Sequence, residues 1–305
     1  MHLRKELAKN RTLYLMALPG VLLFFLFNYL PMAGVIVAFK QYSFSGGLFG
    51  SPWAKPLLGN FQFFFSSDAF WRVTRNTLAL NFSFIFFGTL FALVLSILLN
   101  EVRFLKVKKA IQSSILLPYF ISWIVVGVFA YALFNFDYGL INQGLQLLGI
   151  AAKDWYNSYE AWPFIMTFIS IWKTAGYTSI IFLAVLAGID ATYYEAADID
   201  GAGKWSKIRH ITLPHLMPTA TILTLLAIGK IMYADFGMFY AIIGENSILY
   251  PSADVIDTYV YRTLRKLGDV GMSSAVGLYQ SVIGFVLVLA SNKIARKYQD
   301  EGSIF

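Results

Sequence analysis

Glu195-Ala196-Ala197-Asp198-Ile199-Asp200-Gly201, followed ten residues later by Ile211-Thr212-Leu213-Pro214, forms a polar island between two hydrophobic blocks. Each of those blocks is long enough to cross a bilayer. Residues 193–199 favour a helix carrying Glu195 and Asp198 three apart, on one exposed side. Ala196 and Ala197 have almost no bulk, so another surface can come close to the backbone there. Gly201 permits the left-handed turn that ends the helix. Residues 205–210 can restart it, and Pro214, which has no N–H to donate, is expected to stop it again. The stretch reads as a helix–turn–helix bracket on one membrane face, shaped to be gripped by another molecule.

The rest of the chain places that bracket in a membrane protein. Of 305 residues, 58% are hydrophobic and 13% charged, and the mean hydropathy is +0.62. A soluble domain carries about 25% charged and about 45–50% apolar residues. Six blocks have the length and apolarity of spanning helices: 13–39, 76–100, 111–134, 162–189, 217–243 and 270–292. The first follows a basic start, as in a signal peptide, but its length and lack of a small-residue cleavage site mark a retained span.

Six spans put both ends on one side, and basic residues choose the side. Arg4, Lys5, Lys9 and Arg11 precede the first span, and Arg103, Lys106, Lys108 and Lys109 follow the second. Lys204, Lys207 and Arg209 follow the fourth, and Lys293, Arg296 and Lys297 follow the sixth. These outnumber Lys40, Lys55, Arg72, Lys153, Arg262, Arg265 and Lys266 of the opposite loops by fourteen to seven. The ends and the bracket are therefore expected to be cytoplasmic. Spread in this way, the net charge of +7 fits membrane orientation better than nucleic-acid binding.

One membrane domain is expected over 1–305. Its parts are a tail, first span and outer loop (1–71), a core (72–293) holding the loop 190–214, and a cytoplasmic tail (294–305). Among the outer loops, 41–71 is rich in Gly and Pro and should be irregular, whereas 252–267 reads as a surface helix. No internal repeat is visible.

Catalytic chemistry is missing. The nearest thing to a nucleotide-binding loop, Gly201-Ala202-Gly203-Lys204-Trp205, has the wrong spacing and lacks the hydroxyl that helps hold magnesium. There is no H-E-x-x-H or G-x-S-x-G sequence. His2, His210 and His215 are terminal or at a membrane edge, so no metal site is expected. With zero cysteines, thiolate metal sites and disulfides are excluded.

Polarity inside the spans is more informative. Lys173 lies mid-way along the fourth block, Lys230 mid-way along the fifth, and Asp235 further along it. A charge at mid-bilayer costs about 2.5–3.5 kcal/mol on insertion scales, so such groups face a bundle interior or a watery path. Lys230, Tyr233, Gly237 and Tyr240 fall on one helical stripe, and Lys173, Gly176, Tyr177 and Ile180 form another on the other helix. Ammonium groups and aromatic faces suit a sugar, and favour an acidic one. The candidate path residues are Trp172, Lys173, Tyr177, Lys230, Tyr233 and Tyr240. Structurally, a lysine here could instead satisfy the carbonyls of a partner helix, and Asp235 could pair with a lysine across the interface. Gly277, Gln280 and Gly284 in the last block read first as close helix packing.

The spacing Glu-Ala-Ala, three residues, Gly, nine residues, Ile, one residue, Leu-Pro resembles the signature loop of permease subunits of ATP-driven (ABC) importers, with every position filled. Further stretches resemble the sugar branch of that family, especially the subgroup for fragments such as alginate and pectin. They include Leu13-Tyr14-Leu15-Met16-Ala17-Leu18-Pro19-Gly20, Leu117-Pro118-Tyr119-Phe120-Ile121-Ser122-Trp123 and Ala275-Val276-Gly277-Leu278-Tyr279-Gln280-Ser281.

The resemblance implies an all-α type I importer permease fold in a bacterial cytoplasmic membrane. It implies a second permease of similar size, two ATPase subunits and an extracytoplasmic solute-binding protein. It further implies that ATP and magnesium are held by the ATPase subunits, with no cofactor in this chain. The coupling residues would be Glu195, Ala196, Ala197, Gly201, Ile211, Leu213 and Pro214. An ion-gradient-driven transporter, or an importer permease for a non-sugar solute, is the alternative. The first needs titratable carboxylates in the spans, and Asp235 is the sole candidate.

Overall fold

The computed structural model describes residues 10–298, with side chains to 293. His2, Arg4, Lys5 and Lys9, the side chains of Arg296 and Lys297, and residues 299–305 of the expected tail lie outside the described residues. The chain is nearly all helical. Its elements are α1 (Arg11–Phe39), α2 (Asp68–Asn100), α3 (Leu105–Phe120) and α4 (Trp123–Phe134). There follow α5 (Trp162–Ala187), α6 (Ala191–Ile199), α7 (Lys204–Ile228), α8 (Phe236–Ile242), α9 (Ile256–Arg262) and α10 (Val270–Tyr298). Among the described residues five helices are long and apolar enough to cross a membrane, or six when α3 and α4 count as one bent span.

The described residues form two compact units. One comprises those up to Ser67 with Val260–Tyr279, and the other Asp68–Tyr259 with those from Gln280. In the first, Phe64 and Phe65 pack on Tyr279 with ring centroids 5.7 and 5.6 Å away. Asn60 Nδ2 donates to the carbonyls of Ala38 and Lys40 at 2.9 and 3.0 Å, tying the end of α1 to the chain beyond it. In the second, α2 and α5 form the most extensive helix pair. Trp162, Met166, Phe239 and Val255 are fully buried in one apolar cluster, with Leu80 and Val126. Phe182, Leu216, Ala92 and Ala220 form another at the bracket end of α5.

The structure corrects five local expectations. Block 111–134 is not one straight helix: α3 and α4 meet at 98°. Pro118 tightens the end of α3, and Ser122 starts α4 afresh, its Oγ accepting from Val125 N–H at 3.4 Å. Block 217–243 is also broken. Helix α7 ends at Ile228, and α8 begins at Asp235, whose carboxylate accepts from Met238 N–H at 3.2 Å. Lys230 and Tyr233 therefore lie in the break and do not share a helical stripe with Gly237 and Tyr240.

Pro214 does not stop α7, because a widened turn at Ile208–Thr212 precedes it and relieves the clash with the preceding carbonyl. Segment 252–267 is a surface helix only toward its end: helix runs from Ile256 to Leu267, and residues 264–267 are exposed. It is interrupted after Ala253, and Val255 and Ile256 are fully buried. Buried Asp254 there accepts from Arg72 at 3.3 Å across the fold. Close helix packing falls on Gly176 and Gly127, whereas a side chain at Gly277 would meet nothing within 4 Å.

Candidate functional site

The bracket is built from its own local chemistry. Asp190 caps α6, accepting from Thr192 N–H at 2.9 Å, and that backbone donor with the Thr192 hydroxyl holds its carboxyl below the usual carboxylate range. At the other end Ala202 N–H reaches the Ala197 carbonyl at 2.8 Å and Gly201 N–H the Asp198 carbonyl at 3.1 Å. This pair is the Schellman arrangement, and it requires Gly201 at φ +75°.

Two side-chain ties then fold the arms together. Lys207 Nζ pairs with Asp198 Oδ1, and the hydroxyls of Tyr194 and Thr212 lie 3.0 Å apart, Thr212 being buried. A third contact, Lys204 with Glu101 at 3.6 Å, links the second arm to the end of α2. Leu216, fully buried two residues past Pro214, roots the bracket in the cluster around Phe182.

What the bracket shows outward is apolar and acidic. Ile199 is 88% exposed and Trp205 77%, and Glu195 and Ala196 are exposed beside them. Ala197, Ile211 and Leu213 are half-buried, and Pro214 is exposed. Large apolar side chains displayed by a polar loop mark a surface meant to be covered by protein.

The second constellation lies where the two broken spans meet. Lys173, only 7% exposed, donates from Nζ to the carbonyls of Pro118 at 3.2 Å, Tyr119 at 2.9 Å and Ile121. The Tyr119 and Ile121 carbonyls are acceptors freed by the bend between α3 and α4, whereas that of Pro118 also accepts from Ile121 N–H at 3.2 Å. The same ammonium sits 5.0 Å from the Trp123 ring centroid and 5.9 Å from that of Tyr119. Trp123 Nε1 donates to Asp235 Oδ2 at 2.6 Å, tying the start of α4 to the start of α8.

The other break is closed the same way. Asn81 Nδ2 donates to the Ile231 carbonyl at 2.8 Å, and Gln280 Nε2 to the Met232 carbonyl at 2.6 Å. Asp257 accepts from Ala234 N–H at 2.8 Å, and burial pushes its carboxyl up, against the pull of its donors. Backbone freed at membrane depth must find internal partners, and here side chains from three other elements supply them.

The six path candidates thus divide. Lys173 stands behind the surface and organises backbone. Tyr177 is exposed and stacks on Tyr119, with centroids 4.3 Å apart and planes at 10°. Tyr233 is exposed, its hydroxyl 2.7 Å from Ser281 Oγ, and Tyr240 stacks on Phe236 at 5.2 Å. Lys230 is exposed in the break. Trp172 faces elsewhere, lining an apolar groove of about 410 Å³ with Phe129, Leu133 and Phe168. Tyr119 and Trp123, both against the Lys173 ammonium, were not singled out in the sequence, although Pro118 beside them is a signal of a bend.

Lys173→Met keeps the stem and takes the donor away from the Tyr119 and Ile121 carbonyls. A buried unsatisfied acceptor costs about 1–3 kcal/mol, so the detergent-purified variant should melt well below the native chain, with Lys173→Arg intermediate. An unchanged melting temperature would show that the bend needs no such donor.

Comparison with known proteins gives one consistent result. Residues 88–300 match the family described as binding-protein-dependent transport system inner membrane component. The protein LplB of Bacillus subtilis (strain 168) is 39% identical over 302 residues, 97% of this chain and 92% of that one. The polygalacturonan/rhamnogalacturonan transport system permease protein YteP of the same organism is 36% identical, over 97% of this chain and 91% of that one. A chain in the crystal structure of a bacterial alginate ABC transporter, in complex with an alginate pentasaccharide-bound periplasmic protein, superposes with a TM-score of 0.88. It is 32% identical, covering 97% of this chain and 98% of that one.

Proposed function

The chain belongs to the family of inner membrane components of binding-protein-dependent transport systems, and from that premise we propose that it carries polysaccharide-derived oligosaccharides, acidic ones included, across a bacterial cytoplasmic membrane. It is the permease subunit of an ABC importer of the type I fold. The observation that carries the coupling part is the bracket, complete in spacing and held in shape by Lys207–Asp198 and Tyr194–Thr212.

In this reading Glu195, Ala196, Ala197 and Gly201 with Ile211, Leu213 and Pro214 dock on an ATPase subunit, and Ile199 and Trp205 fill its cleft. Two ATPase subunits hold ATP and magnesium. A second permease completes the path, and a solute-binding protein delivers the sugar. Both chain ends and the bracket are cytoplasmic, as the basic residues flanking the spans favour. The domain is one functional body, its core 72–293 carrying the loop 190–214.

Sugar passes along the aromatic ledge of Tyr119, Tyr177, Tyr233 and Tyr240, with Lys230 available to a uronate. Lys173 acts one layer behind, fixing the bend that presents Tyr119. The support is the relatives' carbohydrate substrates together with exposed ring faces at mid-span. An ion-driven transporter is not favoured, because Asp235 is engaged as a helix cap and by Trp123.

The test is reconstitution with the partner permease, ATPase and binding protein, followed by ATP-driven uptake of oligogalacturonate and of a neutral oligosaccharide. Stacking between aromatic rings and a sugar face, taken on the scale of aromatic pairs at about 0.5–1.5 kcal/mol, predicts that Tyr177→Ala raises the half-saturating sugar concentration roughly 2- to 12-fold. Solute movement or ATP hydrolysis by the purified chain alone would refute the reading.

A further inference from the structure

The loop of residues 40–53, just beyond α1, has an unusual division of its polar and apolar groups. Lys40 is buried, its Nζ donating to the Leu48 and Phe49 carbonyls at 2.8 and 3.2 Å and lying 5.1 Å from the Trp53 ring centroid. Ser51 Oγ donates to the Gly47 carbonyl at 2.7 Å and accepts from Ser43 N–H at 3.0 Å. Gln41 N–H reaches the Pro52 carbonyl and Ala54 N–H the Phe39 carbonyl, both at 2.9 Å. Much of the loop's backbone, together with the side chains of Lys40 and Ser51, is therefore hydrogen-bonded from within.

Outward it presents rings. Phe49 is 88% exposed and Phe44 80%, with Trp53 exposed beside them. No acidic side chain occurs from residue 7 to residue 67. A protein-binding patch keeps a polar rim able to form hydrogen bonds across the interface. A segment with internally bonded backbone, outward aromatics and no carboxylate suits the boundary between lipid headgroups and acyl chains. It also continues directly from α1, whose apolar residues are exposed along nearly its whole length.

We infer that residues 40–53 form a lipid-embedded foot: Phe44 and Phe49 insert into the acyl boundary of the bilayer at the end of α1, and Trp53 lies at headgroup level. The foot fixes where α1 leaves the membrane and needs no partner protein to do so. This rests on the membrane-spanning reading of the chain, and the experiment separates the two.

Because the chain has no cysteine, Phe49→Cys and, separately, Phe44→Cys give single labelling sites on exposed positions. Each full-length variant, carrying an environment-sensitive fluorophore, is inserted into vesicles of phosphatidylcholine and phosphatidylglycerol and isolated by flotation. Acyl-brominated phospholipid should quench the label several-fold more strongly than iodide present on both sides of the bilayer. Stronger quenching by iodide in chains that float overturns the foot while leaving the membrane reading intact. Protection from both quenchers, meaning that protein covers the loop, overturns it too. Failure to float would instead overturn the membrane reading and the foot with it.

Discussion

Gly201→Pro abolishes transport and leaves the protein in the membrane. Gly201 sits at φ +75°, and proline is fixed near −65°, so the turn joining the arms cannot form. Both Schellman bonds are lost, and the second arm, with Trp205, Ile211 and Pro214, leaves its place. Removing one arm from a docked pair is a loss on the scale of an interface hot spot. At about 2–4 kcal/mol this is roughly a 30- to 900-fold fall in coupled uptake. Gly201→Ala separates shape from space. A Cβ there meets nothing within 4 Å, so only the left-handed backbone costs, about 1–2 kcal/mol, and uptake should fall far less. Uptake and ATPase stimulation in the reconstituted importer, with membrane abundance as control, check this. Native uptake by the proline variant would remove the bracket from the coupling route.

Gly176→Ala should prevent assembly of the bundle. A Cβ at Gly176 would lie 2.0 Å from the Ile115 carbonyl oxygen, and one at Gly127 2.3 Å from that of Ala241. Both obstacles are backbone, which cannot swing aside as a side-chain tip can. Ordinary overpacking costs about 1–3 kcal/mol; separating two helices here should exceed that, since small residues at crossings set the approach of the backbones. The matched control is Gly277→Ala, where the site is open and alanine is the better helix former. The yield of monodisperse protein after extraction should collapse for Gly176→Ala and Gly127→Ala and hold for Gly277→Ala. Equal yields would mean that the crossings can spread without loss.

That contrast shows what the sequence can and cannot tell. The bracket was readable because its determinants are local: a helix-favouring run at 193–199, small residues at 196 and 197, and a left-handed glycine at 201. The spans were readable because apolarity is a property of a window. Neither signal reports which backbone carbonyls lack a partner within their own helix. The breaks at 117–122 and 229–235 were hidden inside apolar blocks because the groups that make them tolerable are distant in the chain: Lys173 for one, Asn81, Asp257 and Gln280 for the other. Lys173 was visible as a costly charge, but only the fold shows that three carbonyls accept its hydrogen bonds. Gly277 looked like a packing residue on its own helix, and packing is decided by the neighbour. Buried Asp254 likewise meets Arg72 from across most of the chain, so 252–267 read as surface when residues 253–256 at its start are interior.

The two ties inside the bracket have a consequence for how force is passed. A handle that keeps its form unaided surrenders little disorder when grasped, so most of the contact energy remains for grip. Lys207–Asp198 and Tyr194–Thr212 also make the projection stiff in both push and pull. If an ATPase docks there as proposed, a motor that opens and closes beneath the bracket would drag Leu216 and the buried end of α5 through each stroke with little slack.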